Sequence, residues 1–367
     1  MSGSNKKRIL FLDMMRALAV LMMVEGHTVD ALLSDTYRDL NSSSYNTWLF
    51  IRGLTAPIFM FTSGVVFTYL LRLNTQHFFQ NPRVRKGLIR FITLVVIAYF
   101  LRYPTFTVFD FNFVTHEQWM GFFTVDALHL IGFGLLFILI LSYISERFKI
   151  KDWIVYLGGV IFFFGLFSFT EGIPWTTFLP IPFAAYFYHG TGSLFPFFPW
   201  AGYVLCGAIL GSYLAHNPGA FTSRKFGFGL FYIGVGSLSV AVILNLMEYF
   251  YFEGDVFLIN NLALILIRLG LVLVLNGTMS LIALKLKDIP EIFKQAGRHT
   301  LLIYAVHVII IYGSAWLPGF DMILHKRLNV LESAIAAIIM ITLMLAMVHF
   351  WEKYKAAKKN KLISAEN

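Results

Sequence analysis

Long apolar runs, separated by short polar stretches, recur along almost the whole chain. Each run is close to the length, about 20 residues, that an α-helix needs to cross the hydrocarbon core of a bilayer. The pattern predicts ten membrane-spanning helices, over residues 9–33, 47–71, 87–104, 121–144, 153–170, 194–215, 226–250, 256–283, 295–316 and 331–351. We therefore expect an all-α, polytopic integral membrane protein. Residues 1–367 would form a single domain that ends in a short basic tail at 352–367.

The apolar segment 172–193 departs from this pattern. It contains Pro174, Pro180 and Pro182 together with Gly190, and prolines at this spacing prevent a regular helix. Inside a membrane, such irregular backbone is tolerated only where protein or water satisfies its polar groups. We expect an interfacial or re-entrant segment here.

The basic residues indicate the orientation of the predicted helices. Of the 29 lysine and arginine residues, 22 fall on one side, in the groups 6–8, 72–90, 147–151, 224–225, 285–298 and 353–361. Cytoplasmic loops carry such an excess, so both termini are predicted to be cytoplasmic. The net charge of +9 thus reflects topology and does not indicate a nucleic-acid partner.

Four arginines lie within or at the edge of the predicted helices, namely Arg16, Arg52, Arg102 and Arg268. A charge at bilayer depth costs roughly 2.5–3.5 kcal/mol on insertion scales, so such groups usually face the protein interior and a partner. Arg52 and Arg102 lie at helix ends, where their side chains can instead extend to lipid headgroups. Arg268 lies in mid-helix and needs a counter-ion, either an acidic side chain such as Glu25 or a substrate anion.

The first predicted helix carries a polar stripe. Arg16 and His27 are eleven residues apart, which is three turns plus about 20°, so they share a face with a rise of roughly 16 Å between them. Asp13 and Asp30 lie three residues from Arg16 and His27, within hydrogen-bonding reach on a helix. Glu25 points about 160° away from His27 and is expected to contact another helix.

This stripe has a structural and a functional interpretation. Asp13 and Arg16 can form a purely structural ion pair, and His27 can be a packed core residue. Alternatively, His27 is a general base whose tautomer is fixed by Asp30, because an imidazole exchanges protons near neutral pH.

Two further histidines belong to similar short pairs. Asp126 and His129 are three residues apart in the fourth predicted helix, and Tyr304 and His307 are three apart in the ninth. In the predicted orientation Asp126 and His129 lie in the outer half of the membrane, near the depth of His27, and Tyr304 and His307 lie at mid to outer depth. We therefore predict that these groups line one polar cavity.

Five sequence blocks, in order, resemble those of the bacterial relatives of heparan-alpha-glucosaminide N-acetyltransferase. The first is LDMMRALAVLMMVEGH, in which Ala17 stands where that family usually has glycine. The others are LTAPIFMFTSGVVF, VDALHLIGFGLL, FPFFPWAGYVLCGAILG and GRHTLLIYAVHVII, at 54–67, 125–136, 195–211 and 297–310. The resemblance thus covers nearly the whole chain.

This resemblance implies a membrane acyltransferase that takes an acyl group, expected to be acetyl, from cytoplasmic acyl-CoA. The acceptor would be a sugar hydroxyl or amine of a glycan or glycolipid at the outer face, and no metal is expected. His27 would act as the base or as a transient acyl carrier, and the other catalytic candidates are Asp30, Asp126, His129 and His307. The donor-binding candidates are Arg16, Arg52, Arg268, Ser63 and Tyr304, and the basic loop 83–90 would attract the donor phosphates. Ser63 can equally be a helix-packing residue.

Two other classes compete with the enzyme. A transporter or flippase of a sugar-like or lipid-like substrate also places charges inside the membrane. However, the chain lacks the repeated pair of broken helices that many transporters show in corresponding halves. A non-catalytic scaffold would leave the intramembrane arginines and histidines without a role. The oligomeric state stays open.

Overall fold

The computed structural model describes residues 9–74, 76–251 and 257–366, and these residues form helices and connecting loops without a β-strand. This confirms the predicted all-α class. The helices are α1 (Leu10–Leu32), α2 (Ser43–Gly53), α3 (Thr55–Arg72), α4 (Pro82–Leu101), α5 (His116–Phe123), α6 (Ala127–Phe148), α7 (Asp152–Gly165), α8 (Phe167–Glu171), α9 (Ile181–Ala184), α10 (Phe197–His216), α11 (Arg224–Tyr251), α12 (Phe257–Ala283), α13 (Glu291–Arg298), α14 (Thr300–Tyr312), α15 (Phe320–Leu324) and α16 (Val330–Glu366).

Seven helical stretches of the described residues are long and apolar enough to cross a membrane, as expected for a polytopic membrane protein. They are Ser43–Arg72, Ala127–Phe148, Asp152–Glu171, Phe197–His216, Arg224–Phe250, Asn261–Ala283 and Val330–Lys358. The other predicted spans correspond to α1 and α4, which are long but rich in charge, and to α14, which has only 13 residues. The number of spans and the cytoplasmic location of both termini stay predictions.

Capping residues explain why several helices begin away from their predicted bounds. The side chain of Asn81 accepts a hydrogen bond from the backbone of Arg83 at 2.9 Å, so α4 begins before the apolar run. Asp126 caps α6 in the same way, which moves the start from 121 to Ala127. The predicted helix 295–316 is two helices, α13 and α14, that meet at His299.

The segment 172–193 is broken, as its prolines predict. It contains only single turns, Trp175–Thr177, Ile181–Ala184 and His189–Thr191. At the other end of the chain, α16 continues beyond the predicted span through the basic tail as far as Glu366.

The chain divides into two compact units. In the described residues, unit 1 comprises 9–55 and 285–366, and α1 packs there against α13, α14 and α16. Its buried face includes Met15, Ala19, Val20 and Val24. Unit 2 comprises the described residues of 56–284, in which α10 packs against α6 and α7, and α11 packs against α12. The single-domain organisation stays a prediction.

Close backbone contact joins α3 and α10 within unit 2. A Cβ atom added at Gly207 would lie 2.0 Å from the carbonyl oxygen of Phe61, and one added at Gly211 would lie 2.4 Å from that of Val65. Only glycine permits this approach, as in the small-residue interfaces typical of membrane helices.

Candidate functional site

Two histidines that are 280 residues apart in sequence contact each other in unit 1. Nδ1 of His27, on α1, lies 3.0 Å from Nε2 of His307, on α14. The rings are stacked, with centroids 5.2 Å apart and planes inclined by 16°. His307 is completely buried and His27 is half-buried, so His27 is the more accessible member of the pair.

The backbone fixes the tautomers of this pair. Nδ1 of His307 lies 2.6 Å from the carbonyl oxygen of Ile303. A carbonyl oxygen only accepts, so Nδ1 of His307 carries its proton, and Nε2 of the neutral ring is an acceptor. Nδ1–H of His27 therefore donates to His307. By this assignment, Nε2 of a neutral His27 carries the lone pair that a general base requires.

Asp30 binds two arginines. Its Oδ2 accepts from Nη2 of Arg52 at 2.7 Å, and its Oδ1 accepts from Nη1 of Arg38 at 3.2 Å. The three-residue spacing predicted that Asp30 orients His27, whereas His307 contacts Nδ1 of that ring. Guanidinium groups form stronger, charge-assisted hydrogen bonds with a carboxylate than a neutral imidazole does, which explains the difference.

The Arg52 side chain packs against α1 at Gly26. A Cβ atom added at Gly26 would lie only 3.1 Å from Cγ of Arg52. Its guanidinium lies 5.6 Å from the ring centroid of Trp48, a cation–π distance. The indole N–H of Trp48 donates to the Glu25 carboxylate at 2.8 Å. Glu25 therefore contacts another helix, α2, as its position on α1 predicts.

Arg16 and Tyr304 complete the predicted residues of unit 1. Helix α1 is continuous from Leu10 to Leu32, so Arg16 and His27 lie on one helical face as predicted. Tyr304 is buried one turn before His307, and their rings meet edge to face at 5.8 Å.

Asp126 and His129 form a second, fully buried pair in unit 2. Oδ1 of Asp126 lies 3.0 Å from Nδ1 of His129 and also accepts from the backbone N–H groups of Leu128 and His129. Together with Arg102 nearby, these hydrogen bonds satisfy the buried carboxylate within the protein. The three-residue spacing predicts this contact, although Asp126 is a cap and not a helical residue.

The opposite nitrogen of this second histidine is buried and unpartnered. Nε2 of His129 has no hydrogen-bond partner among the described residues. The ring centroids of Tyr99 and His129 lie 4.4 Å apart, in an edge-to-face arrangement. The hydroxyl oxygens of Tyr99 and Tyr186 lie 2.9 Å apart. Nε of Arg102 lies 3.5 Å from Oδ2 of Asp126, so this arginine has a carboxylate partner within the protein.

Arg268 and Ser63 also lie in unit 2, and the structure leaves their roles open. The Arg268 guanidinium lies 5.2 Å from the ring centroid of Trp200. In the described part of unit 2, no carboxylate lies within 4 Å of it, so its counter-ion is unassigned. Ser63 is half-buried on α3.

The structure thus brings five predicted residues together in unit 1, which are His27, His307, Asp30, Arg52 and Tyr304. It pairs Asp126 with His129 in unit 2. A cavity shared by these two groups stays a prediction. The sequence analysis missed Arg38 and Trp48 as partners of the site. The sequence contained only a weak indication of these contacts. Arg38 is an isolated cation eight residues after Asp30, and Trp48 lies one turn before Arg52.

The fold and the site define a polytopic helical membrane protein with a histidine pair and an arginine-bound carboxylate near one end of α1. A family model described as heparan-alpha-glucosaminide N-acetyltransferase, catalytic, matches residues 8–245. This match covers more than half of the chain, so the chain belongs to that family, which points to a membrane acetyltransferase. The matched region includes His27 and Asp126 and ends before Arg268 and His307. A comparison with individually curated proteins found no match.

Proposed function

We propose that this protein transfers an acetyl group from cytoplasmic acetyl-CoA to a sugar hydroxyl or amine of a glycan or glycolipid. The acceptor would bind at the outer face of a bacterial inner membrane. One observation carries the proposal beyond the family match: the His27–His307 contact gives an accessible imidazole the tautomer of a general base. The family supplies the acyl-transfer class.

The reaction follows from this tautomer. Nε2 of His27 takes the proton of the acceptor hydroxyl or amine while the acceptor oxygen or nitrogen attacks the thioester carbonyl carbon. When the tetrahedral intermediate collapses, the C–S bond breaks and the CoA sulfur leaves as a thiolate. The His27 imidazolium returns the proton to that sulfur, which gives CoA–SH and the acetylated acceptor. His307 holds the imidazole in position throughout and accepts the hydrogen bond from Nδ1–H.

A two-step route uses the same nitrogen. Nε2 of His27 would attack the thioester carbonyl carbon, and the C–S bond would break as the CoA thiolate leaves. The acceptor oxygen or nitrogen would then attack the acetyl-imidazole, its bond to Nε2 would break, and the acceptor proton would pass to the CoA thiolate. The acyl-imidazole is labile, so rapid acid quenching after mixing with radiolabelled acetyl-CoA would be needed to trap it.

The remaining residues have positioning and binding roles in this proposal. The ion pairs of Asp30 with Arg52 and Arg38 fix the end of α1 three residues after His27. Arg16 would hold the donor toward the cytoplasmic side. Asp126 with His129, and the donor-binding candidates Arg268, Ser63 and Tyr304, would contribute from their own helices.

Removing the His27 imidazole tests the assignment. Purified protein is mixed with radiolabelled acetyl-CoA and a panel of glycans, and acetylated product is counted. We expect His27→Ala to lower turnover at least about 100-fold, since general bases contribute factors of this order. His116→Ala, which removes an exposed histidine on α5, is the matched control and should keep wild-type turnover. A folded His27→Ala variant with full activity would refute the role of His27.

The same purified protein also distinguishes the proposed enzyme from a transporter. A transporter would accumulate a radiolabelled sugar in sealed vesicles without consuming acetyl-CoA. Sugar uptake together with the absence of both acetylated product and CoA release would overturn the enzyme proposal.

A further inference from the structure

Four helix ends of unit 2 surround a cavity of about 880 Å³. They are the C-terminal ends of α3, α6 and α10 and the N-terminal end of α7. The volume lies within the range of roughly 300–1,000 Å³ that small-molecule sites occupy. In the orientation that the lysine and arginine distribution predicts, all four ends lie on the cytoplasmic side.

The acidic side chains at this cavity already have partners. Oδ2 of Asp152 lies 3.0 Å from Nε of Arg72 and accepts from the Ser212 hydroxyl at 2.7 Å. The Glu146 carboxylate accepts from the backbone N–H of Phe78, with distances of 3.1 and 3.0 Å to its two oxygens. Asp152 is therefore charge-paired with Arg72, whereas Glu146 is hydrogen-bonded to the backbone and lies 3.4 Å from Nδ1 of His77.

Two lysines at the same cavity have charges that are not paired. Lys149 and Lys151 are exposed, and among the described residues no carboxylate lies within 4 Å of either ammonium group. Lys149 ends α6 with φ of 55°, a left-handed conformation that usually favours glycine. This turn is held by the backbone N–H of Ile150, which donates to the carbonyl of Ser145 at 3.0 Å. Two ammonium groups close together suit a ligand with several negative charges, such as a polyphosphate.

Two aromatic side chains complete the lining. Trp153 and Tyr213 are 47% and 49% exposed, and the Tyr213 ring stacks on that of Phe226 with centroids 6.2 Å apart. Exposed aromatic faces can stack on nucleobases of any sequence, because every base has a flat π-face. Phosphate-binding cations next to stacking aromatic rings indicate a phosphorylated nucleotide.

We propose that this cavity binds the phosphoadenosine end of acyl-CoA, with Lys149 and Lys151 on its phosphates and Trp153 or Tyr213 against the adenine. The inference rests on the proposed function, which requires a cytoplasmic acyl-CoA donor. It differs from the sequence-based expectation that loop 83–90 attracts the phosphates. Phosphate groups also occur on lipid headgroups, so the experiment below separates the two sources.

Binding of the nucleotide end alone provides the test. The probe is 3′-phosphoadenosine 5′-diphosphate, and its affinity for the full-length protein in nanodiscs of neutral lipid is measured by titration calorimetry. We expect the Lys149→Glu/Lys151→Glu double variant to weaken binding at least about tenfold, a difference of about 1.4 kcal/mol. Trp153→Ala should weaken binding about fivefold or more, and Trp153→Phe should restore most of the loss because an aromatic face is kept.

Two double variants with the same change of charge serve as controls. Lys285→Glu/Lys287→Glu alters two exposed lysines that do not line the cavity, and it should change the affinity less than about twofold. Arg83→Glu/Arg85→Glu tests loop 83–90. Equal weakening by all three double variants, or the largest loss from the Arg83 and Arg85 change, would overturn the proposal.

Nanodiscs that contain cardiolipin separate the lipid source. If the nucleotide does not bind in neutral nanodiscs while cardiolipin binds and its binding is lost in Lys149→Glu/Lys151→Glu, the cavity is a headgroup site and the proposal is wrong.

Because nucleotide binding does not use His27, His27→Ala should keep wild-type affinity for the nucleotide. If the cavity binds the nucleotide but the protein transfers no acetyl group, the proposed function is wrong and the binding site at the cavity stands. Normal transfer by Lys149→Glu/Lys151→Glu at limiting acetyl-CoA would refute the cavity site alone.

Discussion

At the scale of single residues, the proposed chemistry depends on which nitrogen of each ring carries a proton. The carbonyl of Ile303 determines the proton position on His307, and His307 in turn determines it on His27. In the proposed reaction, the buried imidazole of His307 would thus orient His27 as a carboxylate orients the histidine of many catalytic pairs. Because His307 accepts a hydrogen bond without bringing a fixed negative charge, it suits a site inside the membrane, where an unpaired charge is costly.

Replacing His307 should lower turnover with little effect on acceptor binding. In His307→Leu, His27 loses the acceptor that orients Nδ1–H, and we expect kcat to fall about 10–100-fold, as for other orienting partners of histidine. His307→Gln keeps an acceptor oxygen and should retain more activity than His307→Leu. Steady-state kinetics that separate kcat from KM provide the measurement.

A thermal unfolding midpoint for each variant serves as the control, because His307 is completely buried and its loss can also weaken packing. The positioning role would be contradicted if a folded His307→Leu kept wild-type kcat. It would also be contradicted if the leucine and glutamine variants lost activity in parallel with their stability.

Local spacing determines how much of the site the sequence could predict. Asp126 and His129 are three residues apart, so their contact follows from chain geometry alone. His27 and His307 were both candidates, but their contact depends on the register between α1 and α14, which no local pattern encodes. The partners of Asp30 were missed for the same reason, since Arg52 reaches it from the next helix.

At the scale of helices, small residues determine which helices can approach closely. Gly207 and Gly211 lie one turn apart on α10, and both meet backbone carbonyls of α3. Without a hydrophobic driving force between helices in lipid, such contacts are a main source of packing energy. The interface lies entirely within unit 2, so its strength can be tested apart from the histidine pair.

Adding one methyl group at this interface should destabilise the protein. In Gly207→Ala, the new Cβ would lie 2.0 Å from a carbonyl oxygen, so α3 and α10 must separate. We expect a loss of about 1–3 kcal/mol, typical of overpacking, measured as a lower thermal unfolding midpoint.

Gly236→Ala on α11 is the matched control. A Cβ atom there meets nothing within 4 Å, so the change should be neutral or stabilising by up to about 1 kcal/mol through helix propensity. If the two variants had equal midpoints, the close packing of α3 and α10 would not be a source of stability.

Helix bounds show where sequence patterns succeed and fail. Apolar runs predicted the long helices, because the requirement for a long apolar segment leaves a strong signal in the sequence. The short helices α5, α9 and α15 have no such run of their own. Bounds set by caps were less accurate, since Asp126 and Asn81 each form hydrogen bonds that an apolar run does not report. The division of 295–316 into α13 and α14 was also missed. There, His299 forms a side-chain contact with Glu352 of α16, a partner that is distant in sequence.

At the scale of the whole molecule, the proposed chemistry requires a definite orientation in the membrane. Acetyl-CoA is cytoplasmic, so the cavity beside Lys149 must face the cytoplasm, and the end of α1 near His27 must lie toward the outer side. The distribution of lysine and arginine predicts this orientation. If the orientation were reversed, the cavity would face a compartment without CoA.

Cysteine labelling tests this orientation directly. The only natural cysteine, Cys206, is first replaced by alanine, and that variant should keep wild-type acetyl transfer, since Cys206 has no role in the proposed reaction.

Asn41→Cys and Lys355→Cys are then made separately in this background, at exposed positions on opposite predicted sides of the membrane. In right-side-out vesicles, a membrane-impermeant maleimide should label Asn41→Cys at once and Lys355→Cys only after detergent is added. Inside-out vesicles should give the opposite pattern. Labelling of both variants from the same side would contradict the predicted odd number of spans between these two positions. A reversed pattern would place the cavity beside Lys149 outside the cytoplasm and would refute a cytoplasmic donor site there.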